Sequence, residues 1–514
     1  EINFKMRIQS VSFLVILLAA SSLCGDNNNT TAETTKEPPK DTTNEPTKKP
    51  EETTKDSSVI CSSCICDEKS NLLDCSERSF RDMLQDSDWV PLNKSLNLYV
   101  VHFTRNSLTK IPAYPELPIR ELDLSHNEIV SIEKKAFKEL RSLIYLDLSH
   151  NRLDSNAIHP DVFEGHYNPD EYEPLNTLRT LKLNDNNIHT LRSENFEHLP
   201  HLRELSLAGN PFQVIDSQSE MAITSIRYLE FLDLSRMELS GIPNHLLHAG
   251  RGLKTLNLTD NLLTTIPDAL LFAVNLETLY LDNNLMTHLG TNHTKFALMP
   301  TMKFLSVSYM PLLERVERGA LSGLPGLKTL VMSMNPKLNF IHGDALSVQG
   351  KEDPSREEWP DMTHLYLHNN NLSSLDMMML ANWEHLEVLD IRNNPWLCDC
   401  SNQWMVDRLL GKLHGDTETL LEDVVCKYPS EMLGTKMIEL ENQQLRCVDK
   451  YGNHPERDGV ILMGMLIGIL LAIPISLMII LIYRRGCFGL LGPRGPADYS
   501  RAFYKRASQD DMYY

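Results

Sequence analysis

The chain has 514 residues and carries 49 Lys and Arg against 69 Asp and Glu, which gives a net charge of −20. This acidic balance argues against nucleic acid as a partner, because phosphate contacts need clustered basic side chains. The length exceeds that of one compact core, so several domains or an array of repeats are expected.

The first segment, residues 1–25, is predicted to be a secretory signal peptide, since an apolar run over residues 11–20 follows a basic residue and leads to small residues. The next segment, residues 26–58, is rich in Thr, Pro, Lys and Glu and contains no Leu, Ile, Val or aromatic residue. It cannot bury enough apolar surface to fold and is predicted to be disordered. It is either an O-glycosylated spacer or an unmodified linker.

Eight of the ten cysteines fall into two tight groups, one in a region over residues 59–96 and one in a region over residues 396–449. Clustered, even numbers of cysteines in a secreted chain indicate disulfides, and each group of four permits three pairings. Zinc is the alternative for such spacing. The groups are Cys61, Cys64, Cys66 and Cys75, and Cys398, Cys400, Cys426 and Cys447.

Between the cysteine groups, over residues 97–395, the pattern L-x-x-L-x-L-x-x-N-x-L recurs. Repeats of about 20–29 residues with this pattern are leucine-rich repeats. Two copies carry Met237 and Met310 where the Asn belongs, and two longer gaps predict protruding loops near residues 154–176 and 348–359. The twelve copies begin at Leu98, Ile119, Leu143, Leu178, Leu202, Leu229, Leu253, Leu276, Met302, Leu327, Met362 and Leu386.

This pattern predicts an α/β solenoid, a curved horseshoe with a parallel sheet on its concave side. Each x-L-x-L-x segment forms a short strand whose leucines point to one face, because side chains alternate along a strand. The rest of each repeat supplies the return path that parallel strands require. An inward Asn carries a donor and an acceptor, so it is predicted to satisfy turn backbone groups that burial would leave unpaired.

Near the C-terminus, residues 460–482 form an uncharged apolar run and are predicted to be a transmembrane helix that follows a short stalk over residues 450–459. Basic residues follow from Arg484, which places residues 483–514 in the cytoplasm and makes the chain a type I protein of the plasma membrane. A lipid-anchor signal is the competing interpretation, but such signals end in the hydrophobic stretch, whereas this sequence continues.

Over residues 59–448 the sequence resembles the extracellular leucine-rich repeat superfamily. The spacing C-x2-C-x-C-x8-C looks like the N-terminal cap of that family, and N-P-W-L-C-D-C with two later cysteines looks like its C-terminal cap. The caps close the exposed ends of a one-dimensional core. The resemblance implies the disulfides Cys61–Cys66, Cys64–Cys75, Cys398–Cys426 and Cys400–Cys447.

The concave sheet is the predicted ligand-binding face, because curved solenoids present this surface to partners. Its outward positions combine aromatic and acidic residues, which suits a protein ligand with basic residues. A polar face without a specific footprint is the alternative. The candidates are Tyr145, Asp147, Phe231, Asp233, Tyr280, Asp282, Phe304, Tyr366 and Asp390.

Sequons of the form N-x-S/T predict N-glycosylation in the extracellular part. Asn257 matters most, because it lies outward in the seventh repeat, where a glycan would block the middle of the concave face. Binding would then move toward one end or a flank. The sequons are at Asn28, Asn29, Asn93, Asn257, Asn292 and Asn371.

The predicted transmembrane helix and the segment after it carry further candidates. A stripe of small residues would let two helices approach closely and form a homodimer in cis. The tail holds candidates for palmitoylation and phosphorylation, with an unmodified tail as the alternative for each. The stripe is Gly464, Gly468 and Ala472, and the tail candidates are Cys487 for palmitoylation and Tyr499, Tyr504 and Ser508 for phosphorylation.

No catalytic residue, cofactor or metal site is predicted. His364 and His368 have a spacing reminiscent of metal ligands, but both lie on an exposed strand surface without an accompanying acid motif. The sequence therefore predicts a cell-surface receptor or adhesion protein that binds a protein on an apposed cell or in the matrix and recruits any intracellular adaptor through its tail. The alternative is an innate-recognition or ligand-presenting co-receptor that captures a soluble ligand for a signalling partner.

Overall fold

A computed structural model describes residues 57–168, 171–248, 252–291, 293–349, 357–379, 385–410, 420–421, 423–447 and 455–484. The predicted signal peptide, most of the predicted spacer and nearly all of the predicted tail lie outside the described residues. The same is true of the sequons at Asn28, Asn29 and Asn292 and of the tail candidates Cys487, Tyr499, Tyr504 and Ser508.

The main sheet confirms the predicted solenoid and its twelve repeats. Each repeat contributes one three-residue strand, and neighbouring strands pair in parallel in strict chain order without a register shift. Two strands of the N-terminal region, Ile65–Asp67 and Leu72–Asp74, extend this sheet beyond the first repeat. The twelve repeat strands are Val100–His102, Glu121–Asp123, Tyr145–Asp147, Thr180–Lys182, Glu204–Ser206, Phe231–Asp233, Thr255–Asn257, Thr278–Tyr280, Phe304–Ser306, Thr329–Val331, His364–Tyr366 and Val388–Asp390.

The core lies behind the sheet because the middle residue of every repeat strand points inward. These residues, such as Leu122, Leu256 and Leu389, are buried. Further from the sheet, Phe137 stacks between Tyr114 and Phe163 with ring centroids 6.2 and 6.1 Å apart. The apolar positions of successive repeats therefore form one continuous column, which is why a repeat depends on its neighbours for burial.

The inward Asn acts as the sequence predicted. The Asn127 side chain accepts a hydrogen bond from Leu108 N at 3.1 Å and donates to the carbonyl oxygens of Phe103, Leu124 and Ser125 at 2.9, 3.0 and 3.1 Å. It thus joins the turn of its own repeat to the preceding one. The ten residues of this Asn ladder are Asn106, Asn127, Asn151, Asn186, Asn210, Asn261, Asn284, Asn335, Asn370 and Asn394, all buried.

The residue before the Asn position has a left-handed backbone conformation in every repeat. Such a backbone suits Gly, Asn and Asp and is uncommon for bulky residues. We call these residues the left-handed column. They are Arg105, His126, His150, Asp185, Gly209, Arg236, Asp260, Asn283, Tyr309, Met334, Asn369 and Asn393, with φ between 50° and 67°.

The back of the array is built from short, varied elements. The longest is the helix Ser217–Thr224, which begins after Asp216, whose side chain caps the helix by accepting from Ser219 N at 2.8 Å. Further elements include the two-residue strands Lys110–Ile111, Ser131–Ile132, His288–Leu289, Arg315–Val316 and Phe340–Ile341, and the 3-10 turns Pro160–Val162 and Asp268–Phe272.

Each of the two insertions holds an antiparallel hairpin. One pairs His166–Asn168 with Glu171–Glu173, and the other pairs Val348–Gln349 with Glu357–Glu358. The sequence predicted loops at these places, and the hairpins give both insertions regular backbone structure.

The two cysteine regions hold the disulfides Cys61–Cys66, Cys64–Cys75, Cys398–Cys426 and Cys400–Cys447, the pairings that the superfamily resemblance implies. The N-terminal region adds the helices Ser57–Ser63 and Asp86–Leu96, the second of which buries Trp89. The C-terminal region pairs Trp396–Leu397 with Cys426–Tyr428 and adds a π-helix over Met405–Leu410 and 3-10 turns over Ser430–Met432 and Met437–Leu440. Both ends of the array are therefore closed by disulfide-linked structure.

The last described element is the helix Pro455–Arg484, which continues through Pro474. Within it, Gly459–Arg484 is long and apolar enough to cross a membrane, and the predicted span over residues 460–482 lies inside this range. Its apolar side chains are exposed. This arrangement is expected for a segment whose surroundings are lipid.

Candidate protein-binding face

The first and third residues of each repeat strand point away from the core, because the middle residue points into it. These two positions, repeated along twelve strands, form one surface, which we call the open face. Direct register makes the first residues one row and the third residues a second row. The composition of these rows determines what the face can bind.

Repeats 1–6 make the open face acidic. Their twelve outward positions hold five carboxylates and one lysine, and we call this part the acidic half. The carboxylates are Glu121, Asp123, Asp147, Glu204 and Asp233, and the lysine is Lys182.

Asp147 in the acidic half is buried by its own neighbours. Its carboxylate accepts from the Tyr145 hydroxyl at 2.9 Å and from the Ser149 hydroxyl at 2.6 Å, and Lys182 Nζ lies 3.5 Å away. The Lys182 ammonium also sits 4.9 Å from the centre of the Tyr145 ring. Burial raises the pKa of Tyr145 to about 12, so its hydroxyl remains a donor at neutral pH.

The left-handed column forms a charged network at one edge of the acidic half. The rings of His126 and His150 stack with centroids 4.0 Å apart, and His150 Nε2 lies 3.4 Å from the Asp185 carboxylate. Arg236 reaches across one whole repeat to Asp185 with bonds of 2.7 and 2.9 Å. The intervening residue is Gly209, where a Cβ would collide with that carboxylate.

Repeats 8–11 make the open face neutral. None of their eight outward positions carries Asp, Glu, Lys or Arg, and we call this part the neutral half. The rings of Tyr280 and Phe304 lie 5.2 Å apart, and those of His364 and Tyr366 lie 6.4 Å apart. The eight residues are Thr278, Tyr280, Phe304, Ser306, Thr329, Val331, His364 and Tyr366.

Two acidic candidates lie near the neutral half but bond internally. Asp282 lies two residues beyond its strand and accepts from the Ser306 hydroxyl and Ser308 N, both at 2.6 Å. Burial raises its pKa, although these hydrogen bonds act in the opposite direction. Asp390 is buried and chelated by Arg392 at 3.0 and 2.9 Å. Burial opposes ionisation of Asp390, but the hydrogen bonds from Arg392 together outweigh this effect, so the pKa of Asp390 is lowered.

The nine candidates of the concave face therefore divide into two sets. Asp147 and Asp390 are buried, and Asp282 lies two residues beyond its strand. The other six are partly exposed on the open face, and they are Tyr145, Phe231, Asp233, Tyr280, Phe304 and Tyr366. The left-handed column is not among the predicted sites, although its place directly before the repeat Asn marks it in the sequence.

Asn257 occupies the third strand position of repeat 7, between the acidic and neutral halves, and is partly exposed. Its side-chain oxygen accepts from Thr259 N at 3.0 Å. Asn371 is exposed and lies outside the helices and strands, whereas Asn93 lies in the helix Asp86–Leu96 with a buried side-chain oxygen.

His364 and His368 lie on the same surface, and His368 Nδ1 is 3.2 Å from the Asp390 carboxylate. Across the part of the chain that the structure describes, no group of three or more His, Cys, Asp or Glu side chains is placed to hold a metal ion.

Comparison with known proteins identifies the repeat. The leucine rich repeat family model matches residues 118–166, 176–231 and 227–286. Mouse podocan-like protein 1 is 29% identical over 244 residues, which cover 47% of this chain and 40% of that protein. Rat lumican is 27% identical over 271 residues, which cover 52% of this chain and 70% of that protein.

Among solved structures, the leucine-rich repeat domain of APL1 matches with a TM-score of 0.45 and 23% identity, covering 66% of this chain and 79% of that one. The repeat matches, the twelve-strand parallel sheet and the four disulfides agree with one another. This chain is a leucine-rich repeat protein with disulfide-capped ends and one C-terminal helix long and apolar enough to cross a membrane.

Proposed function

We propose that this chain is a cell-surface receptor or adhesion protein that binds a protein ligand through its open face. The observation that carries this proposal is the set of partly exposed aromatic side chains on both rows of a continuous sheet of twelve repeat strands. Aromatic residues are enriched at the energetic centres of protein interfaces. The rigid sheet holds them in place, which lowers the entropy that binding costs.

The placement at the cell surface is supported by the apolar helix and by the cysteines. The helix is followed by Arg484 and further basic residues, which are typical of the cytoplasmic side. Disulfides form in oxidising compartments and so favour an extracellular array. Residues 1–25 then act as the signal peptide, residues 26–459 are extracellular and residues 483–514 are cytoplasmic.

The ligand contacts that we propose are the six partly exposed candidates, Tyr145, Phe231, Asp233, Tyr280, Phe304 and Tyr366. Glycans at the sequons and a helix pair through Gly464, Gly468 and Ala472 belong to the same proposal. Among these, Asn257 bears directly on ligand binding, because a glycan there would separate the acidic half from the neutral half.

Mixed-cell aggregation tests this proposal. One labelled population displays the full-length protein, and a second population displays either the same protein or nothing, with surface staining to confirm display and orientation. Clusters limited to displaying cells indicate homophilic adhesion, and clusters that include non-displaying cells indicate a ligand on the apposed cell. If displayed protein gives neither, homophilic adhesion is contradicted, and a heterophilic ligand or a co-receptor role becomes the better account.

A further inference from the structure

Two of the twelve repeats carry methionine at the position of the Asn ladder. They are Met237 in repeat 6 and Met310 in repeat 9. Both side chains are fully buried, and the residues before them, Arg236 and Tyr309, keep the left-handed backbone of the column. The backbone therefore places each methionine where the other repeats place an Asn, but a thioether has no donor and is a weak acceptor.

In the other repeats, the Asn side chain joins two neighbouring repeats inside the array. Asn261 shows the pattern, because it accepts from Leu239 N at 3.0 Å and donates to Leu234 O at 2.9 Å, both in the preceding repeat. A methionine cannot donate to that carbonyl. The interfaces between repeats 5 and 6 and between repeats 8 and 9 therefore lack the buried bonds of an Asn side chain.

The bonds that take their place are weaker or stay within one repeat. Phe212 N occupies the position that an Asn at 237 would bond, and it donates to Asn210 O in its own turn at 2.9 Å. Asn284 N donates to the sulfur of Met310 at 3.3 Å, which is a weak acceptor. The strands on either side of both interfaces remain paired.

Polar side chains outside the ladder also cross the two interfaces. Arg236 bonds Asp185 at 2.7 and 2.9 Å, and Asp282 accepts from the Ser306 hydroxyl at 2.6 Å. Arg236 is exposed, and exposed ion pairs contribute little to stability. The two interfaces are therefore closed in the structure but weaker than those that hold an Asn.

Repeats 6–8, residues 229–301, lie between the two weakened interfaces, and we call them the middle block. The stability of a repeat array is approximately a sum over its repeats and its nearest-neighbour interfaces. Opening the middle block breaks two weakened interfaces, whereas opening any other internal run of three repeats breaks at least one interface that holds an Asn. The repeats on either side are longer runs, and disulfides stabilise their outer ends.

We propose that the middle block opens as one unit while repeats 1–5 and 9–12 stay folded, with Met237 and Met310 at its two joints. Segments of one protein open separately where the contacts between them are weakest, and long arrays lose cooperativity in this way. The block carries Phe231, Asp233 and Tyr280, so opening it would interrupt the centre of the open face. This inference concerns how the array yields, and it holds whether or not the open face binds a protein.

The test is amide hydrogen exchange of the full-length protein in detergent, followed by mass spectrometry of its peptides over a range of urea concentrations. In the unchanged protein, peptides from the three strands of the middle block should lose protection together. They should do so at lower urea than peptides from the strands directly across the joints, Glu204–Ser206 and Phe304–Ser306. The three strands of the block are Phe231–Asp233, Thr255–Asn257 and Thr278–Tyr280.

Met237→Asn and Met310→Asn each restore a ladder side chain at one joint. Each should raise the protection of the middle block at least about tenfold, since buried bonds between two repeats are gained. The matched control is Met299→Asn, because Met299 is a buried methionine of repeat 8 outside the ladder. That variant should lower the protection of the block, because it buries an amide away from the backbone groups that the ladder bonds.

Exchange of the unchanged protein decides the proposal even if a variant does not fold. One common urea dependence for all twelve strands would overturn the middle block, as would boundaries at other repeats. If the boundaries are found as expected but Met237→Asn and Met310→Asn lower protection as Met299→Asn does, the missing Asn side chains are not the cause of the joints. All of these outcomes leave ligand binding by the open face untouched, which the aggregation assay decides separately.

Discussion

The two halves of the open face are built on the same scaffold but differ in the charge of their outward side chains. Under both halves lie the same Asn ladder and the same inward leucines. Above them, repeats 1–6 present five carboxylates and one lysine, whereas repeats 8–11 present aromatic, aliphatic and hydroxyl side chains without formal charge. Inward positions therefore determine the fold, and outward positions are free to differ, so one array can offer two kinds of contact.

The largest loss of stability is expected from substitutions in the Asn ladder, and the loss should be equal in both halves. Asn127→Ala and Asn370→Ala each remove a buried amide. The Asn370 amide donates to Met332 O and Leu367 O at 2.7 Å and accepts from Asn335 N at 2.9 Å. Each substitution should lower the free energy of unfolding by about 3 kcal/mol, because buried carbonyls lose their donors. Urea unfolding followed by circular dichroism measures this change.

The control for the ladder is the exposed neighbour Asn371. Asn371→Ala should change stability by no more than about 0.5 kcal/mol, as is usual for surface positions. If either buried variant behaves like this control, the ladder does not stabilise the array at that repeat, and the two halves rest on different scaffolds.

A smaller loss is expected from Gly209 in the acidic half. Gly209→Ala places a Cβ against the Asp185 carboxylate at a φ of 67°, so it should cost about 2 kcal/mol through strain and loss of the bond to Arg236. The matched control is Gly434→Ala, at a φ of 81° with open space around it. That variant should cost only about 1 kcal/mol, from the backbone alone. Equal losses in thermal unfolding would show that the bridge across Gly209 contributes nothing.

The halves should also respond to pH with opposite signs. Burial works against ionisation of Asp185, but the interactions with Arg236 outweigh it and hold the pKa of Asp185 below the ordinary 3.8. Burial raises the pKa of Asp282 above that value. Asp185 therefore adds stability above pH 3.8 that is lost as the pH falls through its lowered pKa. Asp282 favours the folded state below pH 3.8, and that contribution is lost as the pH rises through its raised pKa.

Amide variants separate these two contributions. At pH 7, Asp185→Asn should lower stability by about 1 kcal/mol or less, and Asp282→Asn should raise it by a similar amount, since an amide keeps the acceptor oxygen without the buried charge. Both differences should shrink below pH 3.8, the ordinary carboxyl value of the two residues. Urea titrations at several pH values measure them, and changes of the same sign would refute the contrast.

The sequence predicted the scaffold more completely than the surface. The twelve repeats follow from Leu and Asn spacing, because the leucines pack into the core in every repeat and the Asn side chain bonds the backbone in ten of them. The burial of Asp147 could not be predicted, since it depends on how the side chains of Tyr145, Ser149 and Lys182, its direct neighbour on the next strand, pack around it. The bond from Arg236 to Asp185 spans 51 residues and exists only because Gly209 lies between them.

The smallest effect on stability is expected at the boundary between the halves. Asn257→Gln removes the sequon at the third position of repeat 7, and Thr259→Ala removes it while leaving Asn257 and the Thr259 N–H that bonds it. Both variants should lose one glycan's mass on gels before glycosidase treatment, with stability unchanged within about 0.5 kcal/mol. Asn371→Gln serves as the control for a glycan away from the open face. If the two boundary variants keep the mass of the unchanged protein, no glycan separates the acidic half from the neutral half, and a single ligand can span both.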